Sequence, residues 1–168
     1  MVLVNPRTVD QYRILRARKT YGTTGAGKWG EVQDCVDQLR AKTALDYGCG
    51  RSGLADLLDV PCARYDPAIP EYAELPTEKV DLVVCTDVLD HIPSDDIGDV
   101  LAHIRSLSPF AFFHISTRLA VQILPNGENA HCSVYPAAEW LKCIRWHYHE
   151  ARIVAEGDAS VTVVTWET

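Results

Sequence analysis

The segment Ala44-Leu45-Asp46-Tyr47-Gly48-Cys49-Gly50-Arg51-Ser52-Gly53 constrains this chain more than any other. A short apolar stretch ends in an acid and runs into a turn with three glycines. Gly48 and Gly50 carry no side chain, so a ligand can approach the backbone there. Gly53 is expected to let the next helix pack closely on the strand. A strand that enters such a turn opens an α/β sheet, whose ligands sit beyond the carboxyl ends of the strands where strand order reverses. Tyr65-Asp66-Pro67 follows and places a second acid 18 residues after Gly48. That is near the separation expected of an acid that accepts hydrogen bonds from ribose hydroxyls. Together the two segments predict a nucleoside site.

The turn also fits G-x-G-x-x-G, the dinucleotide pattern. Asp46 argues against that ligand. A carboxylate two positions before Gly48 is poorly placed beside a pyrophosphate and well placed near the ammonium of a methionine moiety. The length of 168 residues suits one domain and leaves no room for a second nucleotide-binding half with a substrate domain.

The remaining pattern predicts alternating strands and helices. Val9, Tyr12 and Leu15 mark an amphipathic helix over residues 7–18, and the glycines and threonines of 21–27 read as a loop without a packed element. Val32, Cys35, Val36 and Leu39 form one helical face, and Thr43–Leu45 begins a buried strand. Ser52 is the expected N-cap of a short helix through Leu58. Ala63–Tyr65 is the next strand, and 67–79, with three prolines, is mostly loop. Val80–Cys85 reads as a central parallel strand. Ser94-Asp95-Asp96 starts a helix with the stripe Ile97, Val100, Leu101, Ile104 and Leu107. Phe110–Ile115 is a further strand, Pro136 opens a helix, and 150–167 holds a hairpin about Glu156-Gly157-Asp158. The expected fold is α/β: a single Rossmann-like, open, mostly parallel sheet with helices on both faces and a C-terminal antiparallel hairpin. Only 13 positions lie between Asp66 and Val80, so one sheet edge is expected to be truncated.

Charge is uneven along the chain. Arg7, Arg13, Arg16, Arg18, Lys19 and Lys28 face only Asp10 in residues 1–28, yet the whole chain has a net charge of −7. The body should repel a phosphate backbone, so nucleic acid is not an expected partner. No window is long and apolar enough for a membrane span, and no secretory signal is read at the start. Six cysteines without a C-x-x-C pair suggest free thiols and a cytoplasmic setting.

Leu45-Asp46-Tyr47-Gly48-Cys49-Gly50 resembles the first motif of class I S-adenosylmethionine-dependent methyltransferases, L-D-x-G-C-G-x-G. Cys85-Thr86-Asp87-Val88-Leu89-Asp90-His91-Ile92-Pro93 is similar to the family's D-V-L-E-H-V-P segment. The stretch from His131 through Trp140 resembles the region before its final hairpin. The resemblance implies S-adenosylmethionine as cofactor, with Asp46, Gly48, Cys49 and Gly50 around the methionine and ribose and Asp66 on the ribose hydroxyls. It implies Thr86 and Asp87 on the crevice floor, and Tyr21 in a lid with its ring face toward the sulfonium. Residues 1–30 then form an amino-terminal helix and lid-like loop, and 31–168 the cofactor-binding domain. The amino-group DNA methyltransferase tetrad N-P-P-Y is absent after Cys85.

Methyl transfer from a sulfonium needs alignment more than a fixed catalytic residue. His91 and His131 are the candidate catalytic residues, as acceptor contact and general base. His114 reads as a core or crevice-edge residue. His147 and His149 would share a face if extended, but no metal site is expected from their surroundings. The acceptor is expected to be a small molecule or a protein side chain. The alternatives are a catalytically silent cofactor-binding or partner protein, and an enzyme that cleaves S-adenosylmethionine. A nicotinamide-dependent oxidoreductase ranks last.

Overall fold

A computed structural model describes residues 3–16 and 23–167 of the chain. Its strands are β1 (Ala44–Tyr47), β2 (Cys62–Tyr65), β3 (Leu82–Thr86), β4 (Ala111–Ser116), β5 (Arg152–Glu156) and β6 (Ser160–Val164). They form one sheet in the order β2-β1-β3-β4-β6-β5. The pairs β1–β2, β1–β3 and β3–β4 are parallel, and β6 runs antiparallel to both β4 and β5. The order reverses at β1, so the switch point lies between β1 and β3. The residues that follow those two strands are Gly48 and Asp87, which fixes where a ligand crevice can open.

Alternation along the strands builds a core on each face. Leu45, Val83, Cys85, Phe113, Val161 and Val163 pack on one side with α3 (Ser94–Leu107) and α4 (Ala137–Arg145), where Trp140 is fully buried. Ala44, Leu82, Val84, Phe112 and Val164 pack on the other with Val32, Cys35 and Val36 of α2 (Trp29–Leu39). Helices on both faces bury the central strands doubly, which is why β3 is apolar from Leu82 to Cys85. Its start is pinned by Asp81, whose Oδ2 accepts from the N–H groups of Lys42 at 2.7 Å and Thr43 at 3.1 Å. This clamp places the strand start at Leu82 and not at Val80.

The first helix, α1 (Pro6–Arg16), lays Tyr12 and Leu15 on Ala68, Leu124 and Ala130, at the carboxyl end of the sheet. The structure corrects four local expectations. The helix from Ser52 through Leu58 is a single 3₁₀ turn, Leu54–Asp56, entered through Gly53 at φ 69°. A Cβ on Gly53 would touch nothing, so its left-handed backbone, and not close packing, is what requires glycine. The glycine-rich stretch before α2 is a packed 3₁₀ turn, Thr24–Lys28, because Gly25 is small enough to lie against Ser52 and Thr86. His147 and His149 sit in turns after α4, so they share no strand face.

The truncated edge is real: β2 borders β1 alone, and between β2 and β3 there is only one 3₁₀ turn, Pro70–Tyr72. The hairpin closes the opposite edge with β6 inside and β5 outside. Among the described residues no helix is long and apolar enough to cross a membrane. All six cysteines are free thiols.

Candidate active site

A cleft of about 430 Å³ opens over the carboxyl ends of β1, β3 and β4. The glycine turn supplies Gly48, Cys49, Gly50 and Ser52 to its wall; β3 and the turn after it supply Thr86, Asp87 and His91; β4 supplies His114 and Ser116. Thr23, Thr24 and Gly25 cover it from one side, and the segment Arg118–Gln122 with His131 covers it from another. The crevice thus gathers Gly48, Cys49, Gly50, Thr86, Asp87, His91 and His131 of the residues expected from the sequence. Tyr21 lies outside the described residues.

The glycine turn is held from within. Gly48 N–H and Cys49 N–H both donate to the Tyr65 carbonyl, at 2.7 and 3.0 Å, and Ser52 N–H donates to the Cys49 carbonyl at 3.2 Å. Gly50 N–H donates to Asp66 Oδ2 at 3.0 Å, and Asp66 Oδ1 accepts from Ala68 N–H at 2.9 Å. Asp66 is buried, and it faces a smaller hollow under α1 shared by Gly48, Asp87, Val88 and His91. Gly48 adopts φ 77°, and a Cβ there would overlap the Val88 side chain. Its smallness therefore serves packing against Val88, while the residue also lines the cleft. Asp46 is buried beneath the turn and accepts from Ser52 Oγ at 3.5 Å.

Asp87 is the carboxylate most open to the cleft. It sits at φ 53° immediately after β3, its N–H donates to the His114 carbonyl at 2.8 Å, and its Oδ2 accepts from Thr24 Oγ1 at 2.7 Å. Its other oxygen lies 3.8 Å from His114 Nε2. Burial pushes the His114 imidazole below its ordinary range, and the Asp87 charge opposes that shift.

A second cluster stands in the same wall. Asp90, fully buried in the turn Leu89–His91, lies 3.1 Å from His131 Nε2 and 3.9 Å from His91 Nε2. Burial raises its carboxyl above the usual range, while His91 and His131 pull it back down. His91 Nδ1 lies 2.7 Å from the Ala130 carbonyl, and His131 Nδ1 lies 2.6 Å from the Arg118 carbonyl. Sequence reasoning quoted Asp90 within a motif and gave it no role. Its signal was an acid beside a histidine in a segment flanked by apolar residues, and its burial is a tertiary fact.

Neither protein-family models nor curated proteins match this sequence. Solved structures do. The 1,6-didemethyltoxoflavin-N1-methyltransferase of Burkholderia thailandensis, solved with bound 1,6-didemethyltoxoflavin and S-adenosylhomocysteine, aligns at TM-score 0.64 and 16% identity, over 99% of this chain and 93% of that one. The magnesium protoporphyrin IX methyltransferase of Synechocystis, with bound S-adenosylhomocysteine, aligns at TM-score 0.60 and 16% identity, over 92% and 94%. An O-methyltransferase family protein of Burkholderia thailandensis aligns at TM-score 0.59 and 13% identity, over 91% of this chain but only 62% of its own length. The chain likewise spans 55% of a mitomycin 7-O-methyltransferase. The sheet order, the crevice after β1 and β3 and these likenesses agree: this chain has the fold of the class I S-adenosylmethionine-dependent methyltransferases.

Proposed function

We propose that the protein is an S-adenosylmethionine-dependent methyltransferase whose acceptor is a small molecule with a substantial apolar face. The observation that carries the cofactor assignment is the hydrogen bonding of the glycine turn. A dinucleotide pyrophosphate is held by free backbone N–H groups at a helix N-terminus. Here the N–H groups of Gly48, Cys49, Gly50 and Ser52 are all engaged within the protein, and the turn is followed by one 3₁₀ turn in place of a helix. Four carboxylates, Asp46, Asp66, Asp87 and Asp90, stand around the strand ends and disfavour an anion while suiting a ligand that carries an ammonium and a sulfonium.

S-adenosylmethionine supplies an electrophilic methyl group on its sulfonium. The chain's residues would hold and orient it. Gly48, Cys49 and Gly50 offer the close wall, with Thr86 at the floor. Asp87, which has a wider exposure to the cleft than the other acids, would accept hydrogen bonds from the cofactor's ammonium or hydroxyl groups. Asp66 and Asp46 act on the cofactor through the turn they brace, with Asp66 close enough to the hollow under α1 to share a ribose hydroxyl. His91 and His131 face the acceptor side and are the candidate groups to take up a proton from it. The acceptor wall contains Leu119 and Val121, which are 65% and 97% exposed, beside the charged Arg118. Exposed apolar side chains at a cleft mouth suit an acceptor that covers them.

The test is incubation with methyl-labelled S-adenosylmethionine and separated metabolite, protein and nucleic-acid fractions. Label in the metabolite fraction with release of S-adenosylhomocysteine supports the reading. Cofactor binding without turnover in any fraction, or methylthioadenosine without an acceptor, would replace it with the silent-binder or the cleavage alternative.

A further inference from the structure

The geometry points to a binding site for one divalent first-row transition-metal ion, formed by Asp90, His91 and His131 in the wall of the cleft. The argument starts from proton positions. A carbonyl oxygen only accepts, so His131 Nδ1, 2.6 Å from the Arg118 carbonyl, carries its hydrogen. His91 Nδ1, 2.7 Å from the Ala130 carbonyl, carries one for the same reason. In the neutral rings Nε2 is then a lone-pair atom on both residues. Those atoms face Asp90 Oδ2, at 3.1 Å from His131 and 3.9 Å from His91. Asp90 is fully buried, and no hydrogen-bond donor reaches either of its oxygens among the described residues.

Three electron-pair donors gathered this closely suit a positive ion among them. A proton relieves only the 3.1 Å contact between Asp90 and His131. A metal ion engages all three donors. Ligand bonds of about 2.0–2.2 Å set ligand atoms about 3.0–3.6 Å apart at tetrahedral or octahedral angles. The candidate atoms of the three residues all lie within 4.8 Å of one another, so side-chain rotations of about an ångström close the site.

The surroundings are those of a metal centre. Metal-binding imidazoles usually donate their second N–H to a carbonyl or carboxylate, which fixes ring and tautomer. Both rings do so here. Tyr12 Oη donates to the same Ala130 carbonyl at 2.6 Å, and Ser133 ties the two segments through its N–H to the Asp90 carbonyl and its Oγ to the Ile92 carbonyl. Two imidazoles and one carboxylate suit zinc, manganese, iron or cobalt, and are a poor set for magnesium or calcium, which favour oxygen. Three protein ligands leave coordination positions open, and both histidines line the cleft. Resting on the methyltransferase reading, such an ion would occupy the Nε2 atoms of His91 and His131 and replace those rings as the activating group: it would hold an acceptor oxygen and ease loss of its proton to water, which selects a hydroxyl-bearing acceptor.

The experiment is titration of the full chain, stripped with EDTA, with Co²⁺ followed by visible d–d absorption, and then displacement by Zn²⁺. One equivalent should bind, and Asp90→Asn and His131→Gln should each weaken binding by about 100-fold or more. Circular dichroism would check that each variant is folded, and His131→Gln, which leaves the buried position untouched, suffices if Asp90→Asn is not. Absence of Co²⁺ and Zn²⁺ binding, or binding unchanged in folded His131→Gln, overturns the inference. Titration with S-adenosylhomocysteine in parallel separates the two proposals. Nucleoside binding without metal defeats the metal site alone, and metal binding without nucleoside defeats the methyltransferase reading alone.

Discussion

The N–H of Gly50 donates to the Asp66 carboxylate at 3.0 Å, so the turn after the first strand is locked to the tip of its neighbour. The pair unites two features read separately in the sequence, the glycine turn and the acid 18 residues beyond its first glycine. It also gives the acid a bracing contact inside the protein. Asp66 shapes the site by fixing the backbone of the turn.

That role predicts a joint effect on stability and binding. Asp66→Ala leaves the buried Gly50 and Ala68 N–H groups without their acceptor, at a cost of about 1–3 kcal/mol. S-adenosylhomocysteine affinity should fall with it. Urea unfolding and calorimetric titration of the same samples check this, and a loss of affinity with an unchanged urea midpoint would assign Asp66 to the ligand alone.

Gly48 faces two separate penalties. Its φ of 77° disfavours any side chain, by about 1–2 kcal/mol, and a Cβ would also overlap Val88. Gly48→Ala should destabilise the fold by more than the backbone term. Adding Val88→Ala should recover the overlap and leave the backbone term, which a double-mutant cycle on unfolding free energies measures.

His103 should make stability fall in mild acid. Its Nδ1 accepts from the Tyr47 hydroxyl at 3.0 Å and its Nε2–H donates to the Pro76 carbonyl at 3.0 Å, so the neutral ring is satisfied. Burial lowers its proton affinity below the ordinary histidine range. As pH falls through about 6.5 the unfolded chain takes up this proton first, so stability declines below that pH. His103→Gln should show a shallower decline between about pH 7 and 5 than the parent, read from denaturation midpoints at each pH.

Val121 tests the acceptor wall without touching the fold. It is 97% exposed. Val121→Lys should leave the thermal midpoint and S-adenosylhomocysteine affinity unchanged, and should raise KM for the acceptor once a methylated product is found.

The doubly covered strands β3 and β4 were legible from the apolar runs Leu82–Cys85 and Ala111–Phe113, and β1 from Ala44-Leu45 leading into the glycine turn. The α3 stripe was legible because its buried residues repeat at helical spacing. The trimmed sheet edge followed from simple arithmetic between Asp66 and Val80. Other features carry no local signal. The Thr24–Lys28 turn has the composition of an open loop, and only its neighbours Ser52 and Thr86 show that Gly25 is there for close packing. The segment after Gly53 has apolar residues enough for a helix, but a left-handed entry and a short span allow only one 3₁₀ turn. The partnership of Asp90 with His131 joins positions 41 residues apart and depends on how the loop over the cleft folds back.

The most direct test is calorimetric titration of the purified protein with S-adenosylhomocysteine and, separately, with NAD. One equivalent of S-adenosylhomocysteine bound, with affinity sharply reduced in Asp87→Ala and no heat from NAD, is the predicted result. Binding of NAD in the same cleft, or no binding of the nucleoside, would contradict the account.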